Sequence, residues 1–556
     1  MITTQSVRSP ASRLSFEEHP KWGLELDGYM SEFDNRFDKA FNNYMSAQET
    51  TGIAHDGLIP LSTLETMLTI GDNMHKVNYQ HGEKSLPVLM ATIRRYTELE
   101  DSGIFEYYYG YLCMRHLMRT VCIGTLIESI VLERFLNDLD PNMDAVEATS
   151  ALAEVAFDLM TQALMKGDLS YVGLCLGLKP PSWDVFQCVG GLSFDDVDFL
   201  ITVIWENRQR LITLIDHGML AGFPALLFTI CQMTNWSKTP ESKKKWPQLQ
   251  EIILRSYLAG VKDERITMRQ LALTVHMRMD DYNLVGDYST DPDDAYIVAR
   301  TYSAMFHPVW NRDGSLASII LLDISNLLFR YVTSLLTADL ADCIPTVAQA
   351  GLERLWLELD RERDGFMAAP RRGFTRKYAS DILHDIGGMQ GDLQTNEDEK
   401  AFSDMLVEMD ILDLVGRLLL MISRETIKPD KWDDLIKAFE YLWDSMSGPI
   451  RVADELAQSN IANWIKIQDQ LSMLVMGISP NRVQRKHLTE AIGSWSKLCP
   501  VANNDFPWKP CSNPRCAVAK LYMRTPTKAA NGSTGPCVLW TRTRQIVAQT
   551  ILDLHL

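Results

Sequence analysis

A chain of 556 residues, 46% hydrophobic and 23% charged, has a globular composition and enough length to bury a large core. Its formal net charge of −18 argues against general binding to nucleic acid or to an anionic membrane, because most of its surface would repel phosphate. Residues 1–20 lack the apolar run of a signal peptide, and no stretch is apolar for long enough to span a bilayer. We therefore expect an intracellular protein, cytoplasmic or nuclear, with a disordered segment over 1–20.

Helix signals predominate over residues 21–500, which predicts one all-α, repeat-like domain. Apolar residues recur three and four positions apart in six long segments, 117–139, 144–168, 195–220, 315–336, 430–446 and 461–478. The pair Asp140-Pro141 ends the first of these, and Gly167 lies at a suitable C-terminal position in the second. No alternating run bounded by hairpin turns is found, so strands should be few.

Three polar interruptions predict loops between these helices. Residues 236–248 contain two prolines, residues 281–298 are acidic and rich in turn formers, and residues 386–402 contain three glycines without an apolar period. Within the second segment, the carboxylates of "STDPDDAYIV" at 289–298 resemble a calcium loop, but the required glycine and the closing glutamate are missing. We interpret that segment as a solvated acidic turn.

Two segments can be aligned without a gap, "LIDHGMLAGFPALLF" at 214–228 and "LVEMDILDLVGRLLL" at 406–420. Each predicts a helix end, a tight turn and a second helix that begins near a Met/Ile-Leu pair. They resemble the later two helices of an armadillo repeat, in which each helix pair buries its apolar face against the next pair. The resemblance implies an armadillo-like, α-solenoid-like helical stack.

A search for catalytic motifs identifies no phosphate loop, no dinucleotide fingerprint, no zinc-protease helix and no nucleophile elbow. His116 lies one turn after Cys113, which we interpret as a packing histidine beside a buried thiol. His217 is expected to cap a helix C-terminus. The aromatic segment "FEYYYGYL" at 105–112 is expected to pack in the core or between helices.

Near the C-terminus, Cys511 and Cys516 in "WKPCSNPRC" are separated by four residues and a proline-containing turn, which suits one ligand pair of a zinc site. A long helical region that ends in this motif resembles fungal proteins with a C-terminal MYND-type zinc finger. The resemblance implies that Cys511 and Cys516 would be zinc ligands, and that the finger would contact other proteins.

The chain departs from the finger pattern after this first pair. Beyond Cys516, Cys537 and His555 are the remaining candidate ligands, and two thiolates fall short of a closed tetrahedral site. We therefore expect an incomplete, weak metal site and no cofactor, with zinc bound only if the finger were complete. One hypothesis is that the residues after Lys520 derive from a different reading frame or exon.

The region 501–556 is predicted to be a basic, weakly ordered tail with a remnant of the finger. Between residues 506 and 552 it carries seven basic side chains and no acidic one. The sequence thus predicts a non-enzymatic scaffold or adaptor for protein partners, without membrane binding. Two alternatives remain open: an enzyme with an unrecognised site between helices, or a regulator that contacts nucleic acid through the tail.

Overall fold

The chain is all-α over the residues that the structure, a computed structural model, describes, and this confirms the predicted fold class. The described residues are 18–19, 22–24, 58–72, 85–99, 103–140, 143, 145–167, 173, 178–182, 185–188, 191–237, 240–260, 265–276, 292–306, 322–363, 369–421, 432–446, 452–477, 482–497, 508–509 and 522–523. The predicted domain boundaries near residues 20 and 500 lie outside these ranges.

Nineteen α-helices make up most of the described part. They are α1 (Leu61–Asp72), α2 (Ser85–Leu99), α3 (Tyr108–Glu128), α4 (Leu132–Asp138), α5 (Ala145–Met165), α6 (Phe194–Glu206), α7 (Arg208–Asp216), α8 (Phe223–Trp236), α9 (Pro240–Ala259), α10 (Arg265–His276), α11 (Pro292–Phe306), α12 (Leu322–Leu335), α13 (Ile344–Arg363), α14 (Ala369–Met389), α15 (Asn396–Glu408), α16 (Ile411–Met421), α17 (Trp432–Met446), α18 (Val452–Gly477) and α19 (Arg482–Lys497).

Strands are few in the described ranges, as predicted. They form three two-stranded antiparallel pairs, β1 (Glu18–His19) with β2 (Gly23–Leu24), β3 (Leu178–Ser182) with β4 (Val185–Cys188), and β5 (Trp508–Lys509) with β6 (Tyr522–Met523).

The chain divides into two compact units. Unit 1 comprises 1–411 and 430–452, and unit 2 comprises 412–429 and 453–556. Within unit 1 most helix contacts advance along the chain: α3 packs on α1, α2 and α5, α8 on α5, α6 and α9, α9 on α11, α11 on α13, and α13 on α14 and α15. Helix α14 also packs on α12 and, most extensively, on α17. Each helix therefore buries its apolar face against neighbours that lie close to it in chain order.

Helix α3 lies at the centre of the N-terminal part of unit 1, with 18 of its 21 residues buried. The aromatic segment at 105–112 packs in this core, as predicted: Tyr109 contacts Tyr96 and Trp22, and its hydroxyl donates to the Ile59 carbonyl over 2.8 Å. A Cβ at Gly110 would lie 1.9 Å from the Ile104 carbonyl oxygen. A glycine is therefore required where α3 meets this turn.

Two segments predicted as single helices are each broken into two. The segment 117–139 is divided at Ile130, which ends α3 in a left-handed conformation with φ of 57°. The segment 195–220 is divided at Asn207, between α6 and α7. Periodicity did not reveal either break, because the apolar spacing continues across it. The helix end predicted at Gly167 is confirmed, with φ of 74° just after α5.

The three predicted loops are wrong in part, because each contains a helix start or end. Helix α9 begins at Pro240, α11 begins at Pro292, and α14 continues to Met389. Proline suits the first turn of a helix, where an amide hydrogen has no helical partner. In the third segment, Thr395 and Asp398 form a reciprocal capping box that starts α15.

The two aligned segments share the same helix C-terminus. Gly218 after α7 and Asp410 after α15 are both left-handed, with φ of 69° and 51°, and their amides donate to the equivalent carbonyls of Ile215 and Val407. The equivalence ends there, because α16 begins directly at Ile411 whereas α8 begins four residues later in its segment, at Phe223. The second helix is therefore placed correctly in one segment and too early in the other.

Within unit 2, close contacts join its helices. Ile467 of α18 fills the space beside Gly416 of α16, where a Cβ would lie 2.0 Å from the Ile467 side chain. Trp464 of α18 and Trp495 of α19 are both buried, and each indole donates to the other's backbone carbonyl.

Candidate functional site

Four charged side chains form an ion cluster inside unit 1, defined here as Arg208, Glu251, Arg255 and Asp294. Arg255 contacts both Asp294 and Glu251, the latter over 2.6 Å, and the Arg208 Nε atom lies 3.6 Å from each carboxylate. Arg255 and Asp294 are each 1% exposed. The cluster joins α7, α9 and α11, because the first residue of α7 and the first turn of α11 both face the middle of α9.

The surroundings of the ion cluster keep Arg255 charged. Burial acts to lower the pKa of Arg255, but Tyr331, Asp294 and Glu251 together raise it above the ordinary arginine value. Burial also raises the pKa of Tyr331, which stays a neutral phenol. At the outer edge, the Trp205 indole donates to Glu251 over 2.8 Å, and the Arg208 guanidinium stacks 4.3 Å from the Trp205 ring.

The chemistry of the ion cluster is structural. Two arginines face two carboxylates, so the formal charges cancel, and removal of one partner would leave a buried charge uncompensated. The cluster corrects the interpretation of 289–298 as a solvated acidic turn, because Asp294 is buried and ion-paired. The sequence did not predict the burial of Asp294, because its partners Arg255 and Arg208 lie about 40 and 90 residues away along the chain.

His116 and Cys113 lie in the core of unit 1, on one face of α3, as predicted. Burial lowers the pKa of His116 to about 3, so the imidazole is neutral, and its Nε2–H donates to the Leu64 carbonyl over 2.8 Å. Burial raises the pKa of the Cys113 thiol. A neutral histidine beside a protonated thiol packs α3 against α1 and offers no nucleophile.

A second buried set of polar groups joins α11, α13 and α14. Arg354 and Glu358 form an ion pair of 2.8 Å one turn apart on α13, and the Tyr378 hydroxyl donates to the Gly351 carbonyl. Burial raises the pKa of both Tyr302 and Tyr378. These groups again connect neighbouring helices of the stack.

The predicted zinc ligands, Cys511 and Cys516, lie outside the described residues, and so do Cys537 and His555. The chain on either side of the cysteine pair is described, because β5 and β6 are paired with Trp508 opposite Met523 and Lys509 opposite Tyr522. The two predicted ligands therefore belong to the segment that connects two paired strands. Their metal binding stays a prediction.

The histidine predicted as a helix cap is confirmed. His217 follows α7, and its Nδ1–H donates to the Thr213 carbonyl over 2.8 Å. Among the described cysteines, Cys113, Cys122, Cys231 and Cys343 are buried thiols. A buried thiol of this kind packs as a small hydrophobic residue.

Comparisons with known proteins identify no family for this chain. No protein-family model matches the chain, and no curated protein matches it. Among solved structures, the chain is similar to a circular tandem repeat protein with novel repeat topology and enhanced subunit contact surfaces, at 10% identity and a TM-score of 0.21, covering 85% of this chain and 96% of that one. At so low a TM-score, the fold assignment rests on this chain's own helices.

No helix within the described ranges combines the length and the apolar character that a membrane span requires.

Proposed function

We propose that this protein is a non-enzymatic scaffold or adaptor that binds partner proteins through the surface of its helical stack. The observation that carries the proposal is the order of contacts in unit 1, where each helix packs on helices that lie close to it along the chain. Such stacks expose long rows of helix faces that suit extended partners. The buried ionisable groups support it, because the ion cluster and the Arg354–Glu358 pair are engaged in helix packing.

By the resemblance to MYND-type proteins, the cysteine pair would be the remnant of a second protein-contact element. In that proposal Cys511 and Cys516 bind zinc weakly and contribute little to partner binding. The stack itself carries the interaction, so a chain that lacks residues 506–556 should keep its protein partner. Loss of nucleic-acid binding in the same deletion would instead support a regulator that acts through its basic tail.

Site-specific photo-crosslinking of the full chain tests the scaffold proposal. A crosslinking amino acid at Tyr296 of α11 or Phe374 of α14, both exposed, should give discrete adducts with one partner protein, whereas the same group at buried Tyr302 of α11 should not. The purified partner should then bind the unmodified chain in a saturable titration. Exclusive self-adducts, or a partner that fails to bind in the titration, would overturn the proposal.

A further inference from the structure

An aromatic pocket in unit 1, called the Trp22 pocket here, is formed by Tyr96 of α2 and Tyr109 of α3 and holds the indole of Trp22. The Trp22 ring meets both tyrosine rings edge-on, with centroids 5.1 and 5.0 Å apart. The two tyrosine rings lie 5.3 Å from each other. Trp22 is 2% exposed, so a complete tryptophan side chain is enclosed. The occupant itself shows which side chain the pocket fits.

The Trp22 pocket also binds the backbone of its tryptophan. Helix α3 begins at Tyr108, and its cap residue Tyr107 makes no side-chain capping bond. Amides in the first turn of a helix lack an intrahelical acceptor, and the amide of Tyr109 donates instead to the Trp22 carbonyl over 3.1 Å. Main-chain hydrogen bonds give affinity and side-chain pockets give specificity when a protein recognises a peptide. The Trp22 pocket combines both kinds of contact.

Contacts with other parts of unit 1 hold the walls of the pocket in place. The Tyr109 hydroxyl donates to the Ile59 carbonyl over 2.8 Å, which fixes the Tyr109 ring. Gly110 lets the Tyr96 ring lie against α3, because a Cβ at Gly110 would be 2.9 Å from that ring. Neither contact involves Trp22. We therefore expect the pocket to keep its shape when Trp22 leaves, and a preorganised pocket binds its ligand at a lower cost in entropy.

The tryptophan that fills the pocket belongs to a short hairpin and not to a helix. Strands β1 and β2 are two residues long each, and Trp22 directly precedes β2. A two-stranded hairpin is marginally stable by itself, so this one depends on its attachment to unit 1. Elements that are attached through few buried groups open at a lower free energy than the core does. Withdrawal of the hairpin would make the pocket accessible.

We propose that the Trp22 pocket binds a tryptophan of a partner protein, and that the β1–β2 hairpin blocks this pocket by supplying Trp22. Hairpin and partner compete for the same two rings and the same amide. Tryptophan is among the side chains that contribute most to protein interfaces. The proposal rests on the scaffold function and adds to it the side chain that is recognised and the contact that regulates its binding.

A partner protein is favoured over a second copy of this chain as the competitor. The Trp22 of a second copy would make the same contacts as the hairpin of the same chain, without the effective concentration that a covalent connection provides. A partner can add contacts with other exposed helix faces of the stack. Those further contacts would offset the advantage of the connected hairpin.

Fluorescence anisotropy with the full chain tests the pocket, with a labelled peptide of residues 15–27, SFEEHPKWGLELD. The substitution W22A empties the pocket, so W22A should bind this peptide at least about tenfold more tightly than the natural chain does. The same peptide with alanine in place of its tryptophan should not bind W22A. The matched control W246A removes an equally buried tryptophan from α9 and should bind the labelled peptide no better than the natural chain.

A second measurement keeps Trp22 in the chain and decides the question even if W22A fails to fold. A protease site is inserted between residues 40 and 41, between β2 and Leu58, and is then cut. The labelled peptide should replace the fragment that carries the hairpin, and the alanine peptide should not. Failure of the labelled peptide to bind the cut chain, or equal binding by W22A and W246A, would overturn the proposal. A dimer of the natural chain that W22A abolishes would assign the pocket to a second copy and also overturn it.

The two proposals can fail separately. A crosslinked partner that binds the natural chain and W22A equally, and that the peptide does not displace, does not use the Trp22 pocket, and the scaffold function stands. If no partner binds the chain but W22A still binds the peptide, the scaffold proposal fails and the preference of the pocket for tryptophan remains.

Discussion

Trp464 and Trp495 exchange hydrogen bonds between α18 and α19, each indole N–H donating to the other residue's carbonyl over 2.9 and 3.0 Å. The two bonds are not equivalent. The Trp495 carbonyl lies in the last turn of α19, where carbonyls have no helical partner, whereas the Trp464 carbonyl lies inside α18. The indole of Trp464 thus caps the end of α19.

We expect W464F and W495F each to lower the free energy of unfolding by about 2 kcal/mol, from one lost hydrogen bond and lost indole packing. Because the residues are in contact, the double variant should cost less than the sum of the singles. Denaturant unfolding measures all three values. Additivity within error would contradict the coupling.

Ile130 adopts a left-handed conformation that is unfavourable for a β-branched side chain, and it is 93% exposed. The amides of Ile130 and Val131 donate to the carbonyls of Ile127 and Leu126, the arrangement in which glycine is usual. I130G should therefore raise the free energy of unfolding by about 1 kcal/mol. The reverse change G167I, at a left-handed glycine with open space around it, should lower it by a similar amount.

Thermal unfolding of both variants checks the argument. If I130G is less stable than the natural chain, the exposed side chain contributes more than the strain, and the interpretation of the helix end is wrong.

We expect the free energy of unfolding to depend strongly on each charged residue of the ion cluster. R255M leaves Asp294 buried without its closest cation and should cost about 3–5 kcal/mol. The double variant R255M/D294L removes both charges and should recover a large part of that loss. Denaturant titrations of the three chains, with E251Q as a further single change, measure the coupling. A double variant as unstable as R255M would show that the charges do not interact.

Because folding lowers the pKa of His116, we expect the protein to lose stability in mild acid. Its pKa falls from 6.5 to about 3 on folding, so below pH 6.5 the unfolded chain binds a proton that the folded chain excludes. Stability should decrease with a slope of about 1.4 kcal/mol per pH unit from this group as the pH falls toward the folded pKa.

The substitution H116Q removes that titration and keeps a donor near the Leu64 carbonyl. The difference in free energy of unfolding between the two chains should therefore vary with pH between 6.5 and 4 and stay constant above. A difference that is independent of pH would show that His116 binds its proton equally well in the folded and the unfolded chain.

Local signals along the chain predicted a large part of the fold. The all-α class, the helix end at Gly167, the cap at His217 and the buried aromatic turn at 105–112 follow from apolar spacing and from residues with special backbone preferences. The gapless sequence alignment also paired Gly218 with Asp410. Both residues adopt the left-handed conformation that ends a helix. These features depend on interactions within a few residues.

The candidate sites could not be predicted in this way. The ion cluster brings Arg208, Glu251 and Asp294 together from three helices, and Tyr441 of α17 stacks on His384 of α14. From sequence alone, a carboxylate on a helix face is interpreted as solvated, because the sequence does not show whether a distant helix covers it. The sequence by itself determined that the chain folds into amphipathic helices that must cover one another. Tertiary packing alone decided which charges became buried partners and which rings stayed in solvent, because burial and Coulomb energy depend on neighbours in space.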